Sequence, residues 1–266
     1  MLQPWWLIQK MLNPTDSSQR RPLIFGGASF GLGVFAWWGV VKYFKIEPYI
    51  LPSPWSVVQR GYELFSVGAI QPHIYRTLYE VLVGGGIGGL IGIVAACCFS
   101  YVPIFKRLLM PIVVIIQVTP KISIAPLIVL WLGLGVSSKI TLVALVMFYP
   151  VLINMMTKLS SVPTSFKDLA IIIGMNPIRR ALKVDIPFAF PALASGLKLG
   201  ILQGITASVI GQFIGATAGL GFLEIQAQEA ADTRLVIVCI LLLSFLGYAL
   251  YSIVALIEKR VARRYA

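Results

Sequence analysis

Charged residues are scarce in this chain, and histidine is nearly absent. Of its 266 residues, 12% are Asp, Glu, Lys or Arg and one is histidine. About a quarter of the residues of a soluble domain are charged. Hydrophobic residues make up 58% of the chain, and the mean hydropathy is +0.87. This composition excludes an ordinary soluble domain, and the nearly continuous apolar segments predict an all-α integral membrane protein.

The few cysteines and the one histidine give no sign of a metal or catalytic cluster. Cys97, Cys98 and Cys239 lie inside apolar runs without metal-ligand spacing, which is typical of small buried apolar residues. His73 lies at a predicted membrane edge, where we expect an interfacial side chain. The sequence GASFG at positions 27–31 resembles a serine-nucleophile elbow, but nothing orients His73 as a general base. A membrane enzyme is therefore disfavoured.

Six apolar segments are long enough to cross a bilayer, which takes about 20 residues of helix. They cover Leu23–Val41, Ile74–Phe99, Leu108–Leu132, Ile140–Thr157, Pro191–Ile214 and Leu235–Ile257. The proline-rich stretch after the first segment excludes a continuous helix there, and Trp55–Phe65 is predicted to form a short amphipathic surface helix. The third segment contains Pro111, Pro120 and Pro126, so we expect it to be bent or broken, chiefly at Pro120 and Pro126.

Glycine-rich patterns within the segments favour close helix packing. The sequence GGGIGG at positions 84–89 formally matches a dinucleotide fingerprint, but it has no preceding strand and no acidic residue about 20 positions later. Small residues instead recur at every fourth position in two segments: Gly84, Gly88, Gly92 and Ala96, and then Gly196, Gly200, Gly204 and Ser208. Such stripes let helix backbones approach each other closely in a membrane.

The basic residues predict the orientation of the chain. The net charge is +12, with fifteen basic residues on the side of the two termini and seven on the other side. Because positive charge concentrates on the cytoplasmic side of membrane proteins, both termini are expected in the cytoplasm and the 215–234 loop outside. The basic residues are thus explained by membrane topology, and no nucleic-acid binding is expected. The predicted division is a cytoplasmic N-terminal segment 1–21, a transmembrane domain 22–258 with a cytoplasmic loop 158–190, and a basic cytoplasmic tail 259–266.

The cytoplasmic loop carries the most informative pattern. Thr164 or Ser165 is predicted to cap a short helix through Ile173, with an apolar face formed by Phe166, Leu169, Ala170 and Ile173. Gly174 is expected to end that helix with a positive φ, and Asn176-Pro177 to start a second helix that Pro187 and Pro191 then break. This pattern fits either docking into a groove of another protein or a helix that lies on lipid.

The loop resembles the coupling loop of bacterial ATP-binding-cassette importer permeases. That family's pattern is E-A-A, three residues, G, nine residues, I, one residue, L-P. Here it reads Asp168-Leu169-Ala170, Gly174, Val184 and Ile186-Pro187 at the same spacing. The resemblance extends over about residues 49–260 and is strongest to the nitrate, sulfonate and taurine branch, through LPSPWSVVQ at 51–59, TLYEVLVGG at 77–85, TPKISIAPLIVLWLGLGVSSK at 119–139 and GATAGLGFL at 215–223. TLYE and TPKISIAPL are closest to permeases for thiamine precursors or riboflavin.

The resemblance implies a type I importer permease with six transmembrane helices in the bacterial cytoplasmic (inner) membrane. It implies transport of a small organic or anionic nutrient, of the thiamine-precursor, riboflavin, sulfonate, taurine or nitrate type. It implies a second permease copy, giving a homodimer, two cytoplasmic ATP-binding-cassette ATPase subunits, and an external substrate-binding protein. It implies no cofactor in this chain, because ATP and Mg would belong to the ATPase. The residues it assigns to coupling are Phe166, Asp168, Leu169, Ala170, Ile173, Gly174, Met175, Asn176, Pro177 and Pro187.

Polar residues within the segments are candidates for a translocation path. These are Glu80, Gln117, Lys121, Gln203 and Gln212. Glu80 is alternatively explained by pairing with a base or with backbone donors, and the branch often carries glutamate where this chain has Gln212. A stand-alone secondary transporter or channel is the competing function, but buried acidic residues are too few for a proton relay and the coupling loop argues against it.

Overall fold

A computed structural model describes residues 20–265, and the described chain is helical apart from turns and short connections. Most of the predicted segment 1–21 lies outside these residues. The helices are α1 Arg20–Tyr43, α2 Pro54–Ser66, α3 Gln71–Tyr101, α4 Pro103–Val118, α5 Lys121–Leu132, α6 Val136–Ser160, α7 Thr164–Ile172, α8 Pro177–Arg180, α9 Ile186–Gly215, α10 Leu220–Glu229 and α11 Thr233–Tyr265. The predicted all-α membrane fold is confirmed.

Four stretches are long and apolar enough to cross a membrane: α3, α6, residues 177–215, which include α9, and most of α11. The pair α4 and α5 adds a fifth if it counts as one bent span. The first predicted segment does form a helix, α1, but it is not among these candidates. The count of six spans therefore stays a prediction.

The break in the third predicted segment is confirmed. Helices α4 and α5 meet at an angle of 100°, and Pro120 is the N-cap of α5. Only Pro120 makes the break: Pro111 lies within α4 and Pro126 within α5, so the expectation of a break at Pro126 was wrong. The difference has a physical cause, because Pro120 adopts an extended ψ of 120° that no helix can continue through.

The core is built around α6, which packs against α3 on one side and α9 on the other. The two predicted glycine stripes form these contacts. A Cβ on Gly84 would stand 2.7 Å from the carbonyl oxygen of Ile140, and one on Gly196 would stand 2.8 Å from that of Pro150. Because real Cβ atoms do not approach so closely, glycine is required where α3 and α9 meet α6.

Two connections differ from the sequence-based expectations. The 215–234 loop contains the helix α10, whose Leu220 and Ala227 are buried, so it forms part of the packed structure. Pro187 and Pro191 do not break the chain before the fifth span. A turn of π-helix at residues 181–185 leads from α8 directly into α9, Pro187 lies in the first turn of α9, and Pro191 is accommodated inside it.

The surface helix α2 forms where an amphipathic helix was expected. Ser53 caps it by accepting a hydrogen bond from the backbone N–H of Ser56, and Pro54 occupies its first position. Val57 is buried against the rest of the structure. An ion pair between Arg60 Nη2 and Asp232 Oδ2 (2.9 Å) holds α2 near the start of α11. At the other end of the chain, α11 continues through residues 259–265, so the predicted basic tail is helical there.

Candidate functional site

The turn after α7 has the geometry that the coupling-loop pattern predicts. Gly174 has a φ of 69°, which confirms the expected positive φ. Its N–H donates to Ile171 O (2.9 Å), and the N–H of Met175 donates to Ala170 O (2.9 Å). These two bonds form a Schellman motif, which ends a helix and satisfies its last carbonyl groups. The chain therefore leaves α7 at a defined angle.

Helix α8 starts at the predicted residues. The Asn176 side chain accepts a hydrogen bond from the backbone N–H of Arg179 (2.7 Å), and Pro177 occupies the first helical position. The start of α7 differs from the expectation. Pro163 is its N-cap and no side chain caps it, so neither Thr164 nor Ser165 has the predicted capping role. The extended ψ of Pro163, 140°, sets the start instead.

The apolar surface of α7 is exposed, with one exception. Phe166, Leu169 and Ile173 are exposed as predicted, but Ala170 is only 2% exposed and packs inward. The prediction that Ala170 belongs to the exposed face was wrong, because the surrounding protein buries this small side chain. The surface instead includes Ile172, at 79% exposure, and Ile178, which the sequence analysis did not single out. We call the docking face the exposed set Phe166, Leu169, Ile171, Ile172, Ile173 and Ile178.

The remaining predicted coupling residues lie around this face. Asp168, Asn176 and Pro177 are exposed, whereas Met175 and Pro187 are half-buried. Nine of the ten predicted residues lie in the connection between α6 and α9, and Pro187 lies in the first turn of α9. Ala170 is the buried one, and Met175 and Pro187 are partly covered.

The buried Asp185 ties this loop to the membrane helices and was missed by the sequence analysis. Tyr101 Oη, at the end of α3, donates to Asp185 Oδ2 (2.8 Å), and Arg180 Nε donates to the same oxygen (3.3 Å). The signal was an acid five residues after an arginine. This five-residue spacing matches the i→i+5 pattern of a π-helix, which the sequence alone does not predict.

Two of the predicted path residues form a buried polar cluster between α3 and α9. Glu80 and Gln212 are 0% and 1% exposed. Gln212 Nε2 donates to Glu80 Oε2 (2.7 Å), Ser208 Oγ donates to the same oxygen (2.8 Å), and Arg76 Nε donates to Glu80 Oε1 (3.1 Å). The alternative that Glu80 pairs with a base is therefore confirmed for this conformation.

The same cluster caps the start of α10. The N–H of Gly219 donates to His73 Nδ1 (3.1 Å), that of Leu220 to Thr77 Oγ1 (2.9 Å), and that of Gly221 to Gln212 Oε1 (2.8 Å). These donors are otherwise left without partners at a helix N-terminus. Gln212 suits this place because its amide both donates to Glu80 and accepts from the backbone, which a carboxylate at this position could not do.

A different pair of predicted path residues shares a pocket. Lys121 and Gln203 line a cavity of about 480 Å³ between the start of α5 and α9, together with Thr206 and apolar side chains. Gln117 is the third predicted path residue near this cavity. Its backbone carbonyl oxygen accepts a hydrogen bond from Lys121 Nζ (2.8 Å). The structure thus separates the five predicted residues into a buried cluster and an open pocket at the bend.

Lys139 is one of the seven basic residues that the charge distribution assigns to the external side, yet it is 1% exposed. Its Nζ donates to Leu134 O (2.7 Å) and to Gly215 O at the end of α9. A cation is favourable beside the last carbonyl groups of a helix. The missed signal was a lysine within the first turn of an apolar span, where the dipole of its own helix disfavours positive charge.

The long apolar helices, the bend at Pro120 and the connections between them define a polytopic membrane protein with an exposed apolar loop between α6 and α9. Residues 88–263 match the family described as binding-protein-dependent transport system inner membrane component, and the chain belongs to this family. It is a membrane-spanning permease subunit of a transport system. Its placement as an inner-membrane component follows from the family.

Curated relatives cover most of the chain. A probable ABC transporter permease protein of Haemophilus influenzae is 34% identical over 222 residues, 83% of this chain and 89% of the relative. The riboflavin transport system permease protein of Chloroflexus aurantiacus is 31% identical over 81% of this chain and 80% of its own length. The formylaminopyrimidine transport permease protein of Halalkalibacterium halodurans is 26% identical over 80% of this chain and 85% of the relative.

A solved structure has the same fold. A chain of the MetNI methionine ABC transporter, in an inward-facing conformation, superposes with a TM-score of 0.63 at 20% sequence identity, covering 79% of this chain and 98% of that chain. At this identity the likeness shows the fold alone. The expected resemblance to an importer permease of this type is confirmed.

Proposed function

We propose that this chain is the permease of an ATP-driven importer for a small organic nutrient and that its docking face couples it to a separate ATPase. The observation that carries the coupling role is the exposed apolar face of α7, which ends in the Schellman turn at Gly174. An apolar face of a helix on a loop outside the membrane is costly in water and suits insertion into a groove of another protein.

The partners follow from this role. Two cytoplasmic ATPase subunits bind ATP and Mg, one at each docking face, and a second copy of this permease completes the path. An external binding protein delivers the substrate, and both chain termini lie in the cytoplasm. The permease then changes its access from one side to the other because each ATPase state has a different affinity for the two permease conformations.

The substrate class is taken from the relatives. Those named for riboflavin and formylaminopyrimidine transport cover about four-fifths of this chain, and others are named for taurine and aliphatic sulfonates. We therefore assign a small organic nutrient of the thiamine-precursor, riboflavin, sulfonate or taurine type. The pocket lined by Lys121 and Gln203 supports a path beside the bend.

Co-purification with the partner ATPase tests the docking face. Ile172→Glu and Leu169→Glu each place a charge where an apolar groove is expected, so both variants should insert normally but lose the bound ATPase. Ile172→Leu keeps an apolar side chain of the same size and should retain it. If both glutamate variants keep a full complement of ATPase, α7 lies on lipid and the proposed coupling role is wrong.

A further inference from the structure

A second, larger pocket opens between α9, α10 and α11. Its volume is about 750 Å³, within the range of small-molecule sites. Its lining is mostly apolar, but a small number of side chains bring specific chemistry: Thr206, Phe213, Glu224, Ser244, Tyr248 and Tyr251. Its lining extends from the middle of α9 and α11 to α10, which lies on the side that the charge distribution predicts to be external. Nothing in the coupling role uses it.

Glu224 is the charged residue of this lining. It is 9% exposed, and no hydrogen bond or ion pair of its carboxylate occurs among the residues that the structure describes. Burial raises the pKa of this carboxyl, and no neighbouring donor offsets the effect. A buried carboxylate without a partner is costly, so a cation that enters the pocket would be stabilised beside it.

The other two buried carboxylates of the described chain have partners for at least one oxygen. Glu80 accepts hydrogen bonds from Gln212, Ser208 and Arg76, and Asp185 accepts them at Oδ2 from Tyr101 and Arg180, while its Oδ1 has no partner among the described residues. Glu224 differs because neither of its oxygens has a partner there, and because it alone of the three lines a large open cavity. A partner for Glu224 can therefore come from a ligand in that cavity.

Aromatic rings complete the environment for a cation. Phe213, Tyr248 and Tyr251 line the same pocket, and an aromatic face attracts a cation within about 6 Å. Lys198 Nζ already stands 5.8 Å from the Tyr251 ring, but it is paired with Glu258 at 2.6 Å and does not line the pocket. The rings of Phe213 and Tyr248 therefore remain available to a ligand cation in the pocket that Glu224 also lines.

We propose that this pocket binds an organic cation, a protonated amine or cationic nitrogen ring on an apolar or aromatic body, with Glu224 as its counter-ion. The apolar lining takes the body of the ligand, and the hydroxyl groups of Thr206 and Ser244 lie among the lining for further polar contacts. The identification of this cation as the transported nutrient rests on the proposed importer function. The proposal that the pocket binds a cation does not depend on the importer function.

Equilibrium binding to the permease in phosphatidylcholine nanodiscs tests the site. The probes are radiolabelled benzylamine, benzyl alcohol and benzoate, which share one ring and differ in charge. We expect saturable binding of benzylamine alone. Glu224→Gln should weaken it by about tenfold, because a buried charge pair loses one partner. The matched control Glu229→Gln removes a charge from an exposed position of the same helix and should bind benzylamine normally.

A second pair of variants keeps the test independent of folding at Glu224. Tyr248 is 71% exposed, so Tyr248→Leu should fold normally but bind benzylamine about threefold to tenfold more weakly, whereas Tyr248→Phe keeps the ring and the affinity. Equal binding of benzoate, unchanged affinity in Glu224→Gln, or no saturable binding to the unmodified chain would each overturn the proposal. Because this measurement uses no ATPase, its failure leaves the coupling role untouched, and loss of ATPase docking leaves this result untouched.

Discussion

At the scale of single residues, Gln212 has the most consequential position in the described chain. Its amide links Glu80 in α3 to the backbone N–H of Gly221 in α10. One side chain thus holds two membrane helices and the short helix α10 together. An amide is required because the two partners are an acceptor and a donor.

We expect Gln212→Leu to destabilise the protein. It leaves both the Glu80 carboxylate and the Gly221 N–H short of a partner in a buried site, at a cost of about 1–3 kcal/mol. The midpoint of thermal unfolding in detergent should fall by several degrees. Gln203→Leu, at an exposed position that lines the pocket near Lys121, is the control and should leave the midpoint unchanged. Equal midpoints for the two variants would contradict the assigned role of Gln212.

Lys139 offers a second prediction at this scale. Lys139→Met removes the ammonium that bonds Leu134 O and Gly215 O while keeping the length of the side chain. Two buried carbonyl groups then lack a donor, so we expect a loss of about 1–3 kcal/mol in the free energy of unfolding. Lys121→Met, whose lysine is half-buried beside the open pocket, should cost less. Denaturant unfolding of both variants, monitored by tryptophan fluorescence, gives the comparison.

At the scale of elements, the contact between α3 and α6 depends on the absence of side chains. A Cβ on Gly88 would lie 2.9 Å from the Cα of Ala144, whereas a Cβ on Gly86 would meet nothing within 4 Å. Both glycines lie in the same helix two residues apart. They form a matched pair for testing whether close packing stabilises the bundle.

Gly88→Val should therefore prevent normal assembly of the bundle, because overpacking at a backbone contact costs about 1–3 kcal/mol or more. Gly86→Val should express and elute as the unmodified protein does. Size-exclusion chromatography of the two variants in detergent is the measurement. A monodisperse Gly88→Val protein with unchanged thermal stability would show that α3 and α6 can separate at no cost.

Local signals in the sequence predicted the regular parts of these elements well. Four-residue glycine spacing predicted the faces of α3 and α9, Pro120 the bend, and Asn176-Pro177 the start of α8. The sequence did not predict α10, because its hydrophobic positions alternate with polar ones in a segment too short to show a period. Nor did it predict the π-helical turn at 181–185, which ends at Asp185, the partner of the distant Tyr101. Long-range pairs of this kind leave no local pattern.

The sequence predicted the candidate site about as completely as it predicted the helices. The spacing around Gly174 predicted its φ, since only that backbone geometry explains a glycine at the helix end. The burial of Ala170 was not predictable, because it depends on which parts of the folded chain surround α7. Glu80 and Gln203 were singled out together as polar residues in apolar spans. Only the three-dimensional arrangement separates the buried Glu80 from Gln203, which lines the pocket.

At the scale of the whole molecule, the orientation in the membrane follows from the basic residues and remains to be measured. Cysteines at Asn176 and Ala218, in a background without Cys97, Cys98 and Cys239, should react with a membrane-impermeant thiol reagent from opposite sides. Asn176 should be protected in intact cells and Ala218 should be labelled. Labelling of both from outside would place the docking face away from any cytoplasmic ATPase.

In the proposed importer, the turn at Gly174 transmits ATPase closure to the permease, and two substitutions of this glycine test that role. Nothing lies within 4 Å of a Cβ at Gly174, so a substitution there acts through its φ of 69°. Valine is strained at that φ by about 1–3 kcal/mol, whereas asparagine tolerates it. The measurement is substrate-stimulated ATP hydrolysis by the reconstituted complex. We predict that Gly174→Asn retains stimulation and that Gly174→Val, although inserted normally, loses either the ATPase or the stimulation. Normal stimulation in the Gly174→Val complex would contradict the account.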